Sequence, residues 1–164
     1  MGSEQAALAD GTSVELRPIR PDDVRRLVEF HDGLSFETVY RRFFGVHPHL
    51  GPAEAVHFCT IDGTDRFALV AAVNEEIVGV ARMERIQPPS VAEVAFVIAD
   101  RFQHRGLGRL LARRLAATAV ELGVREFVAD TQPDNQPMLH LLSDAGFEVQ
   151  VSSADGVVRL TCPI

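Results

Sequence analysis

The run Gln103-His104-Arg105-Gly106-Leu107-Gly108 constrains this chain more than any other part of it. It joins an apolar, strand-like stretch at residues 91–99 to a stretch at residues 107–122 with helical spacing. Leu107, Leu111, Leu115, Thr118 and Leu122 recur at intervals of three and four, which lines them along one helix face. Gly123 follows as the C-terminal cap. A glycine turn that opens a helix leaves backbone N–H groups unpaired at the positive end of the helix dipole. Two glycines let a ligand come close to that main chain, and the dipole favours an anion. Arg101, Arg105, Arg109, Arg113 and Arg114 crowd the same stretch with no acid among them, so the pattern predicts a cradle for a pyrophosphate.

Rival anion cradles fit less well. A dinucleotide-binding turn needs a third glycine three residues after Gly108, where Leu111 stands. Asp130 does lie about 20 residues on, where that template places a ribose-binding carboxylate. The segment before residue 91, however, shows little parallel α/β pattern. A Walker A loop needs a lysine, and all 16 basic residues are arginine. The bland alternative is an ordinary strand-to-helix turn beside a solvated arginine face.

At 164 residues the chain reads as one domain with room for a substantial core. Hydrophobic residues make up 46% and charged residues 24%, a globular balance. The net charge of −7 argues against a nucleic-acid footprint and suits a cationic partner. No apolar run is long enough to cross a membrane, and no signal-peptide pattern opens the sequence. Cys59 and Cys162 make no disulfide framework, so they read as small buried hydrophobes in a reducing, cytoplasmic setting.

Residues 1–12 are small and polar and read as a flexible tail, with the folded domain at residues 13–164. Residues 13–17 alternate like a strand, and Pro21-Asp22-Asp23 then starts a helix. Ser35 caps a second helix to residue 44, and residues 52–59 form a third. Residues 66–73 and 77–85 make a hairpin through Asn74-Glu75-Glu76, with residues 91–99 as its next strand. After the glycine loop and its helix come a strand at 126–130 and a helix at 135–144. Two strands at 147–152 and 157–161, turned at Asp155-Gly156, end the chain. The order predicts an α/β fold on a mixed sheet.

Two motifs in register, Q-x-x-G-x-G at Gln103 to Gly108 and Asn135 followed by Gly146-Phe147, resemble the GNAT superfamily of acyl-CoA-dependent N-acyltransferases. The likeness covers nearly the whole chain. Leu16-Arg17-Pro18-Ile19-Arg20-Pro21-Asp22, Tyr40-Arg41-Arg42-Phe43-Phe44 and Ala92-Glu93-Val94-Ala95-Phe96 look like the bacterial Pat-type protein lysine acetyltransferases. The resemblance implies a central mixed sheet of six to seven strands, flanked by helices and splayed near residues 96–98. It implies that Phe96, Val97 and Ile98 pair with the pantetheine of acetyl-CoA like an added strand. The backbone of Gln103, His104, Arg105, Gly106, Leu107, Gly108 and Arg109 would hold the pyrophosphate. Asn135 would touch the cofactor near the thioester, and Arg41 and Arg42 would contact the acceptor.

Glu93 is the only ionisable side chain between Val91 and Ala99. A carboxylate among apolar neighbours points either to a salt bridge with Arg82 or Arg85, or to catalysis. A lysine amine, with a pKa near ~10.4, cannot attack a thioester until a base removes its proton. In Pat-type enzymes a glutamate at this position is the expected base. The tyrosine that often protonates the leaving thiolate is replaced here by Leu142. Tyr40 is distant in sequence, and Ser143 reads equally well as a surface residue. His47 and His49 lack further ligands for zinc, so no metal is expected. The function implied is acetyl transfer from acetyl-CoA to a lysine of a protein such as an acyl-CoA synthetase. The alternatives are a small-molecule amine acceptor or a non-catalytic acyl-CoA-binding regulator.

Overall fold

The computed structural model describes residues 2–164. Its N-terminal segment departs first from expectation. Glu4–Ala7 is not a flexible tail but a strand, β1, paired antiparallel with β2, Ser13–Pro18. Leu8 is buried just after β1, and Glu4 pairs with Arg114 at 2.7 Å. β2 is near in sequence, but four residues are too few to show an alternation, and Arg114 lies far along the chain.

The three helices that follow start where caps and prolines place them. α1 (Val24–Asp32) is entered through a 3-10 turn at Pro21–Asp23. α2 (Phe36–Phe43) is capped by Ser35, whose Oγ accepts from the Thr38 N–H. α3 (Pro52–Cys59) opens on its proline. β3 (Arg66–Val73) and β4 (Glu76–Ile86) are joined through Asn74 and Glu75, both at positive φ, as a tight hairpin requires. β5 (Val91–Ile98) pairs antiparallel with β4. α4 (Leu107–Glu121) crosses to β6 (Glu126–Thr131), and α5 (Gln136–Asp144) to β7 (Gln150–Ala154) and β8 (Val157–Pro163).

The result is one eight-stranded mixed sheet in the order β1-β2-β3-β4-β5-β6-β8-β7. It has eight strands rather than six or seven, because β1 extends one edge. All neighbours are antiparallel except β5 and β6, which need the crossover through α4 to run parallel. α4 buries Leu107, Leu111 and Leu115 completely. Burial of such a side chain contributes about 1.5–3 kcal/mol relative to exposure. A Cβ on Gly79 would stand 3.0–3.2 Å from Leu111, Ile98 and Leu107, which fixes α4 against one sheet face. Phe58 of α3 lies under Arg82 of β4, which places α3 on the other face. No described helix is long and apolar enough to cross a membrane.

Candidate active site

The parallel ladder between β5 and β6 is short. It runs from Val91↔Glu126 to Glu93↔Val128 and stops. Beyond it β6 continues to Thr131 on its β8 partner, while β5 continues to Ile98 on β4. The sheet therefore splits from residue 94 onward, earlier than the expected 96–98. Which main-chain groups face the split follows from one bond. Ala99 donates its N–H to the Val78 carbonyl at 2.9 Å. Antiparallel pairs alternate, so Val97 and Ala95 also turn their N–H and C=O groups toward β4. Phe96 and Ile98 turn theirs into the gap, as does Val94 with its carbonyl, since its N–H closes the last rung to Val128. The free edge therefore excludes the N–H and C=O of Val97, although the residue still lines the groove.

The gap is a groove of about 610 Å³. It brings together Glu93, residues 94–98, Gln103, His104, Gly106, Gly108, Arg109 and Asn135, with Arg41 and Arg42 on its far wall. His140, Asp144 and Thr131 also line it and were not singled out in the sequence, and so does Asp130, which the sequence offered only as a ribose-binding carboxylate. They come from the end of β6 and the outer side of α5. Only the topology shows that these face β5. A second cavity of about 550 Å³ lies between α1 and the β3–β4 turn. Its Arg25 and Arg101 are already paired with Glu29 and Glu76.

At one end the groove meets the start of α4. Gly106 sits at φ 85°, a conformation that favours glycine, and makes no side-chain cap. The first intrahelical bond is from Leu110 N–H to the Gly106 carbonyl, so the N–H groups ahead of it have no helical partner. Gly108 is needed for a close approach, since a Cβ there would stand 2.7 Å from Leu141 of α5.

The arginines around this loop do not form one cluster. Arg101 pairs with Glu76, Arg105 with Asp10 and Thr12, and Arg114 with Glu4. Arg113 donates to the Ala145 carbonyl at 2.9 Å. Of the five, Arg109 alone lines the groove. The side chains of Arg105 and Leu107 point away from it, the second into the core. Asp10 is held down to about 2 by hydrogen bonds from Thr12 and Arg105.

Gln103 is engaged by the protein itself. Its amide donates to the Ile98 carbonyl at 3.1 Å and to Thr38 Oγ1 at 3.2 Å. Asp100 accepts from the Ser35 N–H at 2.9 Å, the Ser35 hydroxyl at 2.6 Å and the Thr38 hydroxyl at 2.9 Å. Burial alone would raise the Asp100 carboxyl, but these three donors hold it below its ordinary value. Together they bolt α2 to the end of β5 and to the loop. Asn135 caps α5 by accepting from the Met138 N–H at 3.2 Å through its side-chain oxygen, so the cap does not use its amide N–H₂.

Glu93 corrects one expectation. It is exposed at the groove rather than buried, and it forms no salt bridge with Arg82 or Arg85. Arg85 bonds Asp65 and the Leu122 carbonyl, and Arg82 lies 4.4 Å over the Phe58 ring. Glu93 shares its sheet face with Ala95 and Arg82, on the side of α2 and α3. Leu142 is fully buried, Ser143 is exposed, and Tyr40 stacks on Phe36, so none of them faces the groove. His47 and His49 sit beside Glu54 and Asp32. Burial pushes both cysteine thiols up to about 11.

The split between the parallel strands thus runs from the Glu93 carboxylate to an uncapped, glycine-rich helix start, a groove suited to an extended ligand with an anionic end. The profile of the acetyltransferase (GNAT) family matches residues 34–147. The chain belongs to that family. The GNAT domain of S. lividans PAT is 36% identical and superposes with a TM-score of 0.93, covering 99% of this chain and 97% of that one. The acetyltransferase Pat of Mycolicibacterium smegmatis is 32% identical over 136 residues, 80% of this chain and 40% of that protein. Acetyltransferase PA5475 of Pseudomonas aeruginosa is 32% identical over 145 residues, 86% of this chain and 78% of that protein. This chain is thus a GNAT acyltransferase similar to Pat, and it spans less than half the length of the M. smegmatis protein.

Proposed function

We propose that this GNAT domain transfers acetyl from acetyl-CoA to the side-chain amine of a protein lysine, with Glu93 as general base. The observation that carries this reading is one groove joining three features: the exposed Glu93 carboxylate at the end of the β5–β6 ladder, a free strand edge and an open helix N-terminus. The residues fit the co-substrate. Val94, Phe96 and Ile98 offer main-chain groups to an extended pantetheine, although the Ile98 carbonyl is already taken by Gln103. The N–H groups of residues 107–109 and the Arg109 guanidinium suit the pyrophosphate.

Glu93 takes a proton from the lysine ammonium, directly or through a water. The freed amine attacks the thioester carbonyl carbon, and the C–N bond forms as the carbonyl oxygen becomes an oxyanion. The Val94 N–H closes the last rung of the parallel ladder, so the N–H of Phe96 is the unpaired donor nearest the base along β5. Collapse of the intermediate breaks the C–S bond, and the nitrogen's remaining extra proton passes to the departing thiolate or to water as the amide forms. The thiolate, with a parent pKa near ~8.5, leaves without a dedicated acid. The route is direct attack in a ternary complex: neither cysteine nor serine lines the groove, and the Thr38 and Thr131 hydroxyls are bonded to Asp100 and the Val158 carbonyl.

A protein acceptor is favoured over a small amine by the outer face of α2. Phe36, Tyr40 and Phe44 are 66%, 39% and 46% exposed, and Phe44 reaches the groove. An apolar patch beside a transfer site suits a macromolecular partner. An acyl-CoA synthetase is the acceptor to try first. Glu93→Gln should keep acetyl-CoA affinity while transfer of labelled acetyl falls by roughly 10²–10⁴-fold. Undiminished transfer by that variant would remove Glu93 as base. Label appearing only on small amines would remove the protein acceptor.

A further inference from the structure

Asp130 is a groove carboxylate that the transfer chemistry leaves unused. It stands on β6 two residues beyond Val128, where the ladder to β5 ends, and it lines the groove. Glu93 is the register partner of Val128, so those two share a sheet face, and strand alternation returns Asp130 to it. This is the side of α2 and α3, whereas α4 and its uncapped start lie on the other. One strand spacing and two residue rises put the Glu93 and Asp130 backbones roughly 8 Å apart where the strands begin to part. Two carboxylates so placed flank the space that an amine must enter from the acceptor side.

Arg159 decides what Asp130 can do. It sits opposite Asp130 on β8 and donates from Nε to Oδ1 at 2.7 Å and from Nη2 to Oδ2 at 2.6 Å. This fork holds the Asp130 carboxyl below its ordinary value, against partial burial. Asp130 therefore stays ionised at neutral pH and is of no use as a base. Among the described residues no ion pair or hydrogen bond engages the Glu93 side chain. The fork takes one acceptor position on each Asp130 oxygen, and an ionised carboxylate has about four, so two stay open. The Arg159 and Asp130 side chains are 53% and 35% exposed, and a pair that open to solvent adds little to stability. A tie between strands thus does not explain why the pair stands at the groove.

We propose that Asp130, aimed by Arg159, receives the ammonium of the acceptor and presents it to Glu93. The proposal rests on the groove being the transfer site, and it deepens that reading by giving charge recognition and proton removal to different carboxylates. Asp130 accepts a hydrogen bond from the lysine nitrogen while Glu93 takes the proton that leaves. The amine then keeps two N–H bonds, one of them to Asp130, and its lone pair is left for the thioester carbon. Arg159 sets the strength of the attraction, since its charge offsets part of the pull of Asp130 on a cation.

NMR titration of the intact chain loaded with coenzyme A tests this without turnover. The probes are N-α-acetyl-lysinamide and N-α-acetyl-norleucinamide, which has the same side chain without its ammonium. The wild type should bind the ammonium probe more tightly, and Asp130→Asn should lose roughly 10-fold of that preference. Arg159→Gln keeps a donor for Asp130 but removes the cation, so it should increase the preference. In turnover with acetyl-CoA, Asp130→Asn should raise KM for N-α-acetyl-lysinamide by roughly 10-fold and change kcat by less than about threefold. Glu93→Gln should lower kcat instead. The proposal is overturned if the wild type does not discriminate between the probes, or if Asp130→Asn keeps the full preference. It is also overturned if both variants move the preference the same way, as loss of a mere strand tie would. Failure of acetyl-CoA to bind the wild-type chain, followed by calorimetry, would overturn the groove assignment instead.

Discussion

Asp23 is fully buried and receives both arms of Arg17, at 2.6 and 2.8 Å, together with the Arg20 N–H at 2.8 Å. This cluster ties the end of β2 to the start of α1. Burial would raise the Asp23 carboxyl, but the Arg17 fork and the Arg20 N–H bring it below its ordinary value. A carboxyl depressed in the folded state gives stability that is complete above the unfolded pKa of about 3.9. That stability is lost as pH falls from there through the folded value. Urea midpoints should therefore drop as pH falls below about 4, more steeply for the wild type than for Asp23→Asn. At pH 7 the variant leaves Arg17 buried without its partner, and unfolding free energy should fall by about 3–5 kcal/mol.

At the scale of elements, α2 is held to the rest of the fold through Asp100, Ser35, Thr38 and Gln103. Asp100→Ala removes the acceptor for three donors. It should lower stability by about 1–3 kcal/mol, seen in chemical denaturation. It should also raise KM for the acceptor more than for acetyl-CoA, because α2 bears the far wall of the groove. The cap at Ser35 and the glycine turn before α4 were legible in the sequence, since both depend on residues three or four apart. The helix face of Leu107, Leu111 and Leu115 was legible for the same reason. The strand β1 was not, because four residues on β2 are too few for an alternation to show, and Arg114 and Arg105, which also hold this segment, lie over 90 residues on. Those arginines also misled the reading of the loop: their charge was visible, but not the acids that Glu4 and Asp10 bring to them. Glu93 was found by its isolation in an apolar strand, yet its exposure depends on where β6 stops pairing.

Across the whole molecule, the sheet is two halves joined by Val91, Ala92 and Glu93 against residues 126–128. A ligand lying along Val94 to Ile98 would extend that joint. Because it binds the folded state alone, acetyl-CoA at 100 times its Kd should add about 2.7 kcal/mol. For a chain of this size that corresponds to a rise in Tm of roughly 5–10 °C. A thermal-shift series over ligand concentration checks it, and no rise would argue against occupancy of the gap. The short joint has a kinetic side as well. A substrate that acts as the missing strand must be pulled out again after each cycle, so the seam has to breathe for coenzyme A to leave. Longer pairing between β5 and β6 would give a sturdier protein that lets go of its product slowly, and the three-pair joint keeps the seam able to open.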